Sequence, residues 1–422
     1  MSQYQCVILG AGAAGMMCAA QAGARGGRVL VVDHAKAAGE KIRISGGGRC
    51  NFTNLDAAPG NFLSANPHFA KSALARFTQW DFIDLVRRHG IGWHEKTQGQ
   101  LFCDGSAREI VRMLLDEMDR AGAELRLRVA ASAVEKTDAG FALTLSDGAR
   151  VTTQTLVVAT GGKSIPKMGA SGFAYDLARQ FGHAVTETRP GLVPLTFGDR
   201  FAGLSGLGLT ARAGANGTSF DDAVLFTHRG LSGPAILQVS NYWRDGEAIT
   251  LDLLPGSDAL AALRALRVGE GRKSVANALA TLLPARLAAY MAERLAIAGN
   301  MADQPDAALE RMAAALQRWQ LVPAGSEGYR TAEVTLGGVD TDGLEARSME
   351  SRTVPGMFFI GEAVDVTGWL GGFNFQWAWS SGHAAGTAIA QRGQDTAGRG
   401  PEPARRRKRN AAKQHGLSRP AT

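Results

Sequence analysis

A glycine-rich turn near the N-terminus is the first feature of the sequence that could do chemistry. Gly10-Ala11-Gly12-Ala13-Ala14-Gly15 follows the apolar stretch Cys6 to Leu9 and precedes an Ala-rich helical segment. In such a strand-turn-helix unit the first glycine permits the tight turn, the second admits a pyrophosphate, and the third lets the helix pack closely. The N–H groups at the helix N-terminus favour the phosphates. We predict a dinucleotide site whose contacts include Gly10, Gly12, Ala13, Ala14 and Gly15.

Asp33 extends this unit. It ends a second apolar stretch, Arg28 to Val32, and lies 18 residues after Gly15. A carboxylate at this position is placed to accept hydrogen bonds from ribose hydroxyls. It would repel a 2′-phosphate, which disfavours NADP at this site. The motif by itself does not separate FAD from NAD, so the decision depends on later segments.

The segment that follows Asp33 contains three successive glycines. Gly39 to Asn54 reads GEKIRISGGGRCNFTN, where glycines allow close backbone approach to a ligand and the basic side chains supply positive charge. A flavoprotein must turn its chain towards the isoalloxazine at this point. A phosphate-binding loop without a flavin is the alternative. The predicted cofactor contacts are Lys41, Ser45, Gly46, Gly47, Gly48, Arg49, Cys50 and Asn51.

Two later segments have a similar character. Val158 to Gly162 ends an apolar strand in small residues, and Phe358 to Asp365 ends another in Gly361 and Glu362. A carboxylate there can bind ribityl hydroxyls. The helix expected to open near Asn374 would direct its N–H groups at flavin N1 and O2 and so favour the reduced anion. The predicted contacts are Thr160, Gly161, Gly361, Glu362, Asp365, Gly372, Phe373 and Asn374.

The elements that must position these residues form an interrupted α/β pattern. Buried strands and helices alternate as far as Gly162, and shorter antiparallel strands follow from Leu192. Ser257 to Trp319 has helical spacing and predicts three or four helices. The chain exceeds the roughly 250 to 300 residues of a single core, so we predict more than one domain. The predicted boundaries are 1–191 with 332–392 for a discontinuous cofactor domain, 192–331 for an inserted domain (192–256 and 323–331 mainly β, 257–322 helical), and 393–422 for a disordered basic tail.

Charge and composition limit the other possibilities. The net charge is +7, but from Gly393 onward eight basic residues outnumber two acidic ones, so the remainder is close to neutral. Nucleic acid contact is therefore expected only as a weak contribution of the tail. No long apolar run or cleavable leader is visible, which predicts a cytoplasmic protein without membrane contact. The four cysteines and eight histidines show no metal-ligand spacing.

Taken together, these segments resemble the HI0933-like family, also called the YhiN or BaiN-type family of NAD(P)/FAD-dependent oxidoreductases. The most specific matches are Ser45 to Asn54 and Gly361 to Gly382, with Thr335 to Val339 and Met349 to Arg352 in support. The resemblance implies a glutathione-reductase-type Rossmann domain that binds FAD, with an inserted domain that is partly β-barrel-like and partly helical. Five aromatic residues around the last glycine loop are expected to face the flavin or substrate or to pack as a core cluster: Trp369, Phe373, Phe375, Trp377 and Trp379.

The expected function is hydride transfer between flavin N5 and a small or medium organic substrate. No second nucleotide-binding glycine loop follows a strand, so NAD(P)H is expected to dock transiently as electron donor. The alternatives are an oxygen-using FAD amine oxidase, an RNA-associated flavoprotein and a flavin redox sensor. No carboxylate pair indicates an acid and a base, so no catalytic residue is predicted.

Overall fold

The computed structural model describes the backbone of residues 2–398 and the side chains of residues 2–393. The largest mixed sheet is built around β1, whose apolar stretch from Cys6 to Leu9 suits a strand buried on both faces. Its order is β7-β2-β1-β10-β9-β8, and β20 pairs in parallel with the end of β10. The strands of the cofactor-side half of the chain are β1 (Ser2–Leu9), β2 (Val29–Asp33), β3 (Asn51–Asn54), β4 (Phe62–Leu63), β5 (Trp93–Glu95), β6 (Gln100–Cys103), β7 (Glu124–Leu127), β8 (Ala131–Thr137), β9 (Gly140–Leu145), β10 (Arg150–Val158) and β11 (Arg189–Gly191).

A second sheet of seven strands is antiparallel throughout. Its order is β17-β16-β13-β14-β15-β12-β18, and β17 and β18 are its two edges among the described residues. Two short pairs, β11 with β19 and β4 with β21, lie outside both large sheets. The remaining strands are β12 (Leu195–Thr196), β13 (Gly208–Ala215), β14 (Thr218–Phe226), β15 (Gly230–Ser232), β16 (Ile249–Asp252), β17 (Trp319–Leu321), β18 (Gly325–Ser326), β19 (Val334–Leu336), β20 (Met357–Phe359) and β21 (Thr367–Gly368).

Helices cover both sheets. Where the sequence predicted three or four helices between Ser257 and Trp319, the structure has four. Helix α5 begins with a capping box in which Ser106 and Glu109 bond each other's backbone N–H groups. The helices are α1 (Ala13–Gly23), α2 (Glu40–Gly48), α3 (Lys71–Arg76), α4 (Gln79–Arg88), α5 (Ala107–Arg120), α6 (Phe173–Gln180), α7 (Pro234–Ser240), α8 (Ala259–Gly269), α9 (Val275–Leu279), α10 (Ala285–Arg294), α11 (Asp306–Gln317) and α12 (Phe373–Gly398).

The close packing of α12 against α1 fixes the two helix N-termini that matter for the site. A Cβ atom at Gly382 would lie 2.5 Å from the Ala14 carbonyl oxygen, and one at Gly386 would lie 2.6 Å from the Cys18 carbonyl oxygen. Glycine at both positions therefore lets the helix backbones touch. Helix α12 begins earlier than predicted, at Phe373, and extends through Gly398 into the segment predicted as a disordered tail. The rest of that segment, residues 399–422, lies outside the described residues.

The buried apolar side chains form two separate clusters. One surrounds the mixed sheet and draws on residues between Tyr4 and Ala178 and between Val339 and Ile389. The other lies between the antiparallel sheet and helices α8 to α11, from Leu195 to Leu321. The fold is the α/β type that the family resemblance implied, whereas the exact domain boundaries stay a prediction. None of the helices in the described part of the chain is long and apolar enough to cross a membrane.

Candidate functional site

A cavity of about 1090 Å³ lies at the carboxyl ends of β1, β2 and β10. Ligands of open α/β sheets bind at this edge, because the loops there can present backbone groups to them. Residues from later parts of the chain also line the cavity, namely Leu192, Pro234 and Glu333. The predicted cofactor contacts that line this cavity are Gly10, Gly12, Ala13, Ala14, Asp33, Lys41, Ser45, Gly46, Gly47, Asn51, Thr160, Gly161, Gly361, Glu362, Gly372 and Asn374.

The glycines of the Gly10 to Gly15 turn have different structural roles. Gly10 has φ +109°, and a Cβ there would lie 2.5 Å from the Ala159 carbonyl oxygen. Gly15 does not line the cavity; a Cβ there would overlap the Gly10 carbonyl oxygen, so it serves helix-strand packing. Gly12 has open space beside it and caps α1 without a side-chain hydrogen bond. The N-terminal N–H groups of α1 are thus available to a phosphate.

Asp33 is held by the loop it adjoins. Its Oδ2 accepts a hydrogen bond from the Ala11 N–H at 2.6 Å, and its Oδ1 accepts one from the Ala35 N–H at 2.8 Å. Two charge-assisted bonds to backbone groups fix the carboxylate at the rim of the glycine turn. Each oxygen keeps a further lone pair. Asp33 therefore both shapes the loop and can accept a hydrogen bond from a ligand hydroxyl.

The triple-glycine segment reaches the cavity only in part. Helix α2 is kinked at Ser45, where the backbone leaves helical geometry, and Gly46 and Gly47 then have positive φ. A Cβ at Gly46 would lie 2.7 Å from the Phe102 ring, whereas at Gly47 nothing lies within 4 Å. Beyond them the chain turns away from the cavity. Gly48, Arg49 and Cys50 do not line it, although all three were predicted as contacts.

Neither Arg49 nor Cys50 lines the cavity, and their environments differ. Arg49 is exposed, while Cys50 is fully buried. Burial raises the pKa of the Cys50 thiol well above its ordinary value. A thiol held protonated in the core is neither a nucleophile nor a redox group.

A hydrogen-bonded cluster joins three distant parts of the chain at the cavity wall. The Glu362 carboxylate accepts from the Lys41 ammonium at 2.9 Å, from the Ser164 hydroxyl at 2.8 Å and from the Thr335 N–H at 3.0 Å. Lys41 also donates to Ser164 at 2.6 Å. This cluster holds α2, the loop after β10 and β19 together. Glu362, predicted to bind ribityl hydroxyls, thus has a positioning task that sequence reasoning did not assign.

The C-terminal glycine loop enters the cavity with the start of α12. Gly371, Gly372 and Asn374 line the wall, whereas Phe373 turns away and packs edge-on against Phe62 at 6.2 Å. Asp365, also a predicted contact, does not line the cavity. It is buried and accepts a hydrogen bond from the Ala65 N–H at 3.0 Å, and burial is the main cause that raises its pKa.

Asn374 ties this loop to the helix. Its amide donates to the Gly368 carbonyl at 2.9 Å and to the Trp369 carbonyl at 3.2 Å, and its oxygen accepts from the Gly368 N–H at 2.8 Å. Because α12 begins at Phe373, Asn374 lies inside the first turn of the helix. Its function is to hold the loop that precedes the helix.

The five aromatic residues near this loop divide between cavity and core. Trp369, Phe375 and Trp377 line the cavity. Trp379 is buried and stacks on Phe82 at 4.4 Å, with its indole N–H on the Phe52 carbonyl. The two expectations left open by the sequence, ligand contact and core packing, therefore apply to different members of one cluster.

The residues around the cavity suit FAD. The Thr160 hydroxyl is buried in the wall and has no hydrogen-bond partner among the described residues, as expected of a group that a ligand satisfies. The free N-terminus of α1 suits the pyrophosphate, and Asp33 suits the adenosine ribose. The N-terminus of α12 suits the pyrimidine end of the isoalloxazine. No cluster in the described part of the chain could hold a metal ion.

Several lining residues were missed by sequence reasoning. Leu192, Pro234 and Glu333 come from segments that no motif marks. Glu333 stands two residues before the Thr335 to Val339 motif, which was the one signal that could have drawn attention to it. Asp222 and Lys96 also line the cavity.

A second cleft of about 390 Å³ adjoins the cavity at Trp369 and Asp222. The Trp369 indole N–H donates to the Tyr242 hydroxyl at 2.7 Å, and its ring packs edge-on against Phe220 at 5.1 Å. Arg212 forms a two-point ion pair with Asp221 at the cleft edge, at 2.6 and 2.7 Å. The cavity thus continues along β13 and β14.

Comparison with known proteins places this site in a family context. The model of the HI0933-like protein Rossmann domain matches residues 4–388. A ribosomal RNA dihydrouridine synthase of Escherichia coli strain K12 is 53% identical over 91% of this chain and 97% of its own length. A 3-dehydro-bile acid delta(4,6)-reductase of Clostridium scindens is 28% identical over 91% of this chain and 98% of its own length.

Among solved structures, the 3-ketosteroid-delta4-(5alpha)-dehydrogenase of Rhodococcus jostii RHA1 has a similar fold. Its TM-score is 0.50 at 12% identity, with 92% of this chain and 97% of that chain covered. At this identity the likeness concerns the fold alone.

Proposed function

The chain belongs to the HI0933-like family of FAD-dependent oxidoreductases, and from this premise we propose that it reduces the C5–C6 double bond of a uridine in ribosomal RNA. The observation that carries the proposal is the 53% identity to an enzyme of that name over 97% of its length. The match extends across 91% of this chain and is not confined to a nucleotide-binding motif.

The reaction adds one hydride and one proton to the uracil ring. When bound, FAD supplies the hydride, which it regains from a donor such as NAD(P)H. The two electrons go to C6, the proton goes to C5, and the ring loses its double bond. The protein must hold the uracil against the isoalloxazine, exclude bulk water and provide the proton.

The shape of the site supports a polymeric substrate. The cavity wall at Trp369 continues into the second cleft, so a nucleotide in the cavity could be followed by its neighbours outside. Aromatic rings such as Trp369 and Phe220 offer faces on which bases stack, at about 1 to 3 kcal/mol per base in other proteins. The proposal gives nucleic acid a larger part than the near-neutral charge of the body suggested.

The electron donor is proposed to be a reduced nicotinamide that docks transiently. Within the described residues, only the mixed sheet carries a nucleotide-type glycine turn, and the other large sheet is antiparallel. A second dinucleotide therefore has no Rossmann site of its own. Asp33 opposes a 2′-phosphate at the one glycine turn that the described residues contain.

A second candidate is reduction of a conjugated carbon–carbon double bond in a small molecule. The 28% identity to a bile acid reductase over 98% of its length supports this chemistry. Both candidate reactions add a hydride to one carbon of a double bond and a proton to the other. The two reactions differ in the size of the substrate that must reach the cavity.

The two candidates separate in one anaerobic experiment. Protein reduced with dithionite is mixed with ribosomal RNA from cells that lack this gene, with transfer RNA, with free uridine, or with an unsaturated 3-oxo steroid. Recovery of the oxidised flavin spectrum identifies the electron acceptor, and nucleoside analysis of the RNA shows whether dihydrouridine has formed. Oxidation by ribosomal RNA together with dihydrouridine supports the proposal, whereas oxidation by the steroid alone contradicts it.

A further inference from the structure

Glu333 is a carboxylate on the cavity wall that none of the functions above has used. Its side chain is accessible from the cavity and lines it together with Leu192 and Pro234. Among the described residues, no hydrogen bond or ion pair satisfies it. This distinguishes it from Glu362, whose oxygens hold Lys41, Ser164 and Thr335.

The position of Glu333 places it on the wall shared with the C-terminal glycine loop. The Glu333 N–H donates to the Leu192 carbonyl at 3.3 Å, and the Leu192 N–H donates to the Asn241 side chain at 2.8 Å. Asn241 ends helix α7. From the same helix, Gln238 accepts from the Leu370 N–H at 2.8 Å. Helix α7 therefore links Glu333 to the loop that leads into α12, at the isoalloxazine end predicted for the cavity.

We infer that Glu333 is the group that protonates C5 of the substrate uracil as hydride is delivered to C6. This inference rests on the proposed function. In the step, the hydride forms the C6–H bond with its own electron pair, and the C5–C6 π pair forms the C5–H bond with the Glu333 proton. The electrons of the broken O–H bond stay on the Glu333 carboxylate. The hydride comes from reduced FAD, which a reduced nicotinamide regenerates. The Glu333 carboxylate then takes a proton from water.

The chemistry of the surroundings supports this role. The Glu333 side chain is accessible from the cavity, but the protein atoms around it partly desolvate the carboxyl and raise its pKa above the ordinary value, so that the acid form persists to higher pH than in water. The neighbouring segments Gly191 to Pro194 and α7 carry no titratable side chain. Charged groups elsewhere on the cavity wall are Asp33, His34, Glu40, Lys41, Lys96, Asp222 and Glu362, and Glu327 and Arg330 precede Glu333 on its own segment.

Several other titratable groups of the protein fit this role less well. The four cysteines are buried in the core. Lys41 is engaged with Glu362 and Ser164. Asp33 is engaged with two backbone N–H groups. Asp222 accepts from its neighbour's N–H at 2.7 Å and from Gln98 at 3.3 Å.

The test compares E333Q and E333D with the parent and with E310Q, which makes the same change on an exposed position of α11. Each holoprotein is reduced and mixed with ribosomal RNA over a pH series, and the reoxidation rate of the flavin is recorded. We expect E333Q to lose about 100-fold or more in this rate, the contribution typical of general acid catalysis. FAD content, RNA affinity and reduction by NAD(P)H should equal those of the parent.

The pH profile tests the proton directly. In the parent the rate should fall as pH rises through the raised pKa, because the donor loses its proton. E333D should keep a falling limb at a lower rate, and E333Q should have none. E310Q should match the parent throughout.

The outcomes are distinct. Parent protein that makes dihydrouridine while E333Q reacts within about threefold of it overturns the role of Glu333 and leaves the proposed function intact. Parent protein that makes no dihydrouridine overturns both. Loss of FAD or folding in both E333Q and E333D would make the residue structural and would also overturn the inference.

Discussion

At the scale of single residues, Asp33 shapes the glycine turn and is also placed to accept a hydrogen bond from a ligand. The backbone N–H groups of Ala11 and Ala35 each donate to one oxygen of this side chain, so both oxygens are already held in place before a cofactor arrives. The D33N substitution keeps the volume of the side chain but puts an amide NH2 group, which is itself a donor, opposite a backbone N–H donor. Hydrogen bonds to charged groups contribute about 1.5 to 3 kcal/mol, so we expect the dissociation constant for FAD to rise about 10-fold or more. Fluorescence titration of the apoprotein with FAD measures it.

The control for D33N is D176N. Asp176 is an exposed carboxylate on α6 that pairs with Arg179 at 3.1 Å, away from the cavity. The same loss of charge there should leave FAD binding unchanged. Equal FAD affinities for D33N and the parent would remove Asp33 from the adenosine site.

Two glycines on the cavity wall are needed for different reasons. A Cβ at Gly372 would lie 2.5 Å from the Thr53 carbonyl carbon, and φ is +95°. At Gly47, φ is +66° but nothing lies within 4 Å. G372A should therefore displace α12 from β3. G47A should lower the free energy of unfolding by only roughly 1 to 2 kcal/mol, because alanine must then adopt the left-handed conformation.

Melting of the two apoproteins distinguishes these cases. We expect G372A to lower the melting temperature clearly more than G47A, because a backbone collision cannot be relieved by a side-chain rotation. G47A should mainly weaken FAD binding, since its methyl group adjoins the cavity. A smaller effect of G372A than of G47A on melting would contradict the predicted collision.

At the scale of elements, the start of α12 depends on Asn374. Three hydrogen bonds join this side chain to Gly368 and Trp369. N374L removes all three while an apolar side chain of similar size keeps the helix. Each neutral bond contributes about 0.5 to 1.5 kcal/mol, so the loop should loosen without global unfolding.

The consequence should reach the flavin through Trp369 and Gly371, which line the cavity beside Asn374. We expect N374L to bind FAD more weakly and to have a lower reduction potential, because the α12 N-terminus is then less well fixed near the reduced flavin. Q391A, an exposed change in the same helix, is the control. Redox titration with an unshifted potential and full FAD content would show that the loop does not position the cofactor.

The elements also show how far the sequence could predict the site. The Gly10 to Gly15 turn and Asp33 belong to one strand-helix-strand unit, so their local spacing already specified their geometry. Helix α12 was predicted because its glycine loop and helical pattern are continuous. Trp377 and Trp379 are two residues apart, and only the helix phase and the neighbour Phe82 decide that one faces the cavity and the other the core.

Contacts between distant segments could not be predicted in this way. Glu362 meets Lys41 across 321 positions of sequence, and nothing local to either residue signals the pairing. Glu333 reaches the cavity only because β19 pairs with β11 and brings both halves of the molecule together. Residues such as Arg49 and Cys50 had suitable types, but the turn after Gly47 directs them elsewhere.

At the scale of the whole molecule, the proposed function requires two kinds of affinity. The cavity must recognise one base, while binding of a long polyanion depends largely on basic groups and on salt. The positive charge is concentrated after Gly398, where eight basic residues stand against one acidic residue. The part of the chain that carries both hydrophobic cores is close to neutral. The residues that would recognise the base and those that would attract the polyanion therefore lie in different parts of the sequence.

Truncation after Gly398 tests this separation. We expect the truncated protein to keep FAD content and melting temperature, because the sequence of residues 399–422 contains few apolar residues. Its affinity for ribosomal RNA should fall most at low salt, and the slope of log K against log salt should decrease by about 0.7 to 0.9 for each phosphate that the tail no longer neutralises. The reoxidation rate of reduced flavin at saturating RNA should equal that of the full chain, because Glu333 and the cavity are unchanged. A truncated protein whose salt slope equals that of the full chain would place RNA binding on the folded body. The basic residues beside the cavity, Lys96 and Arg212 among them, would then be the next to substitute.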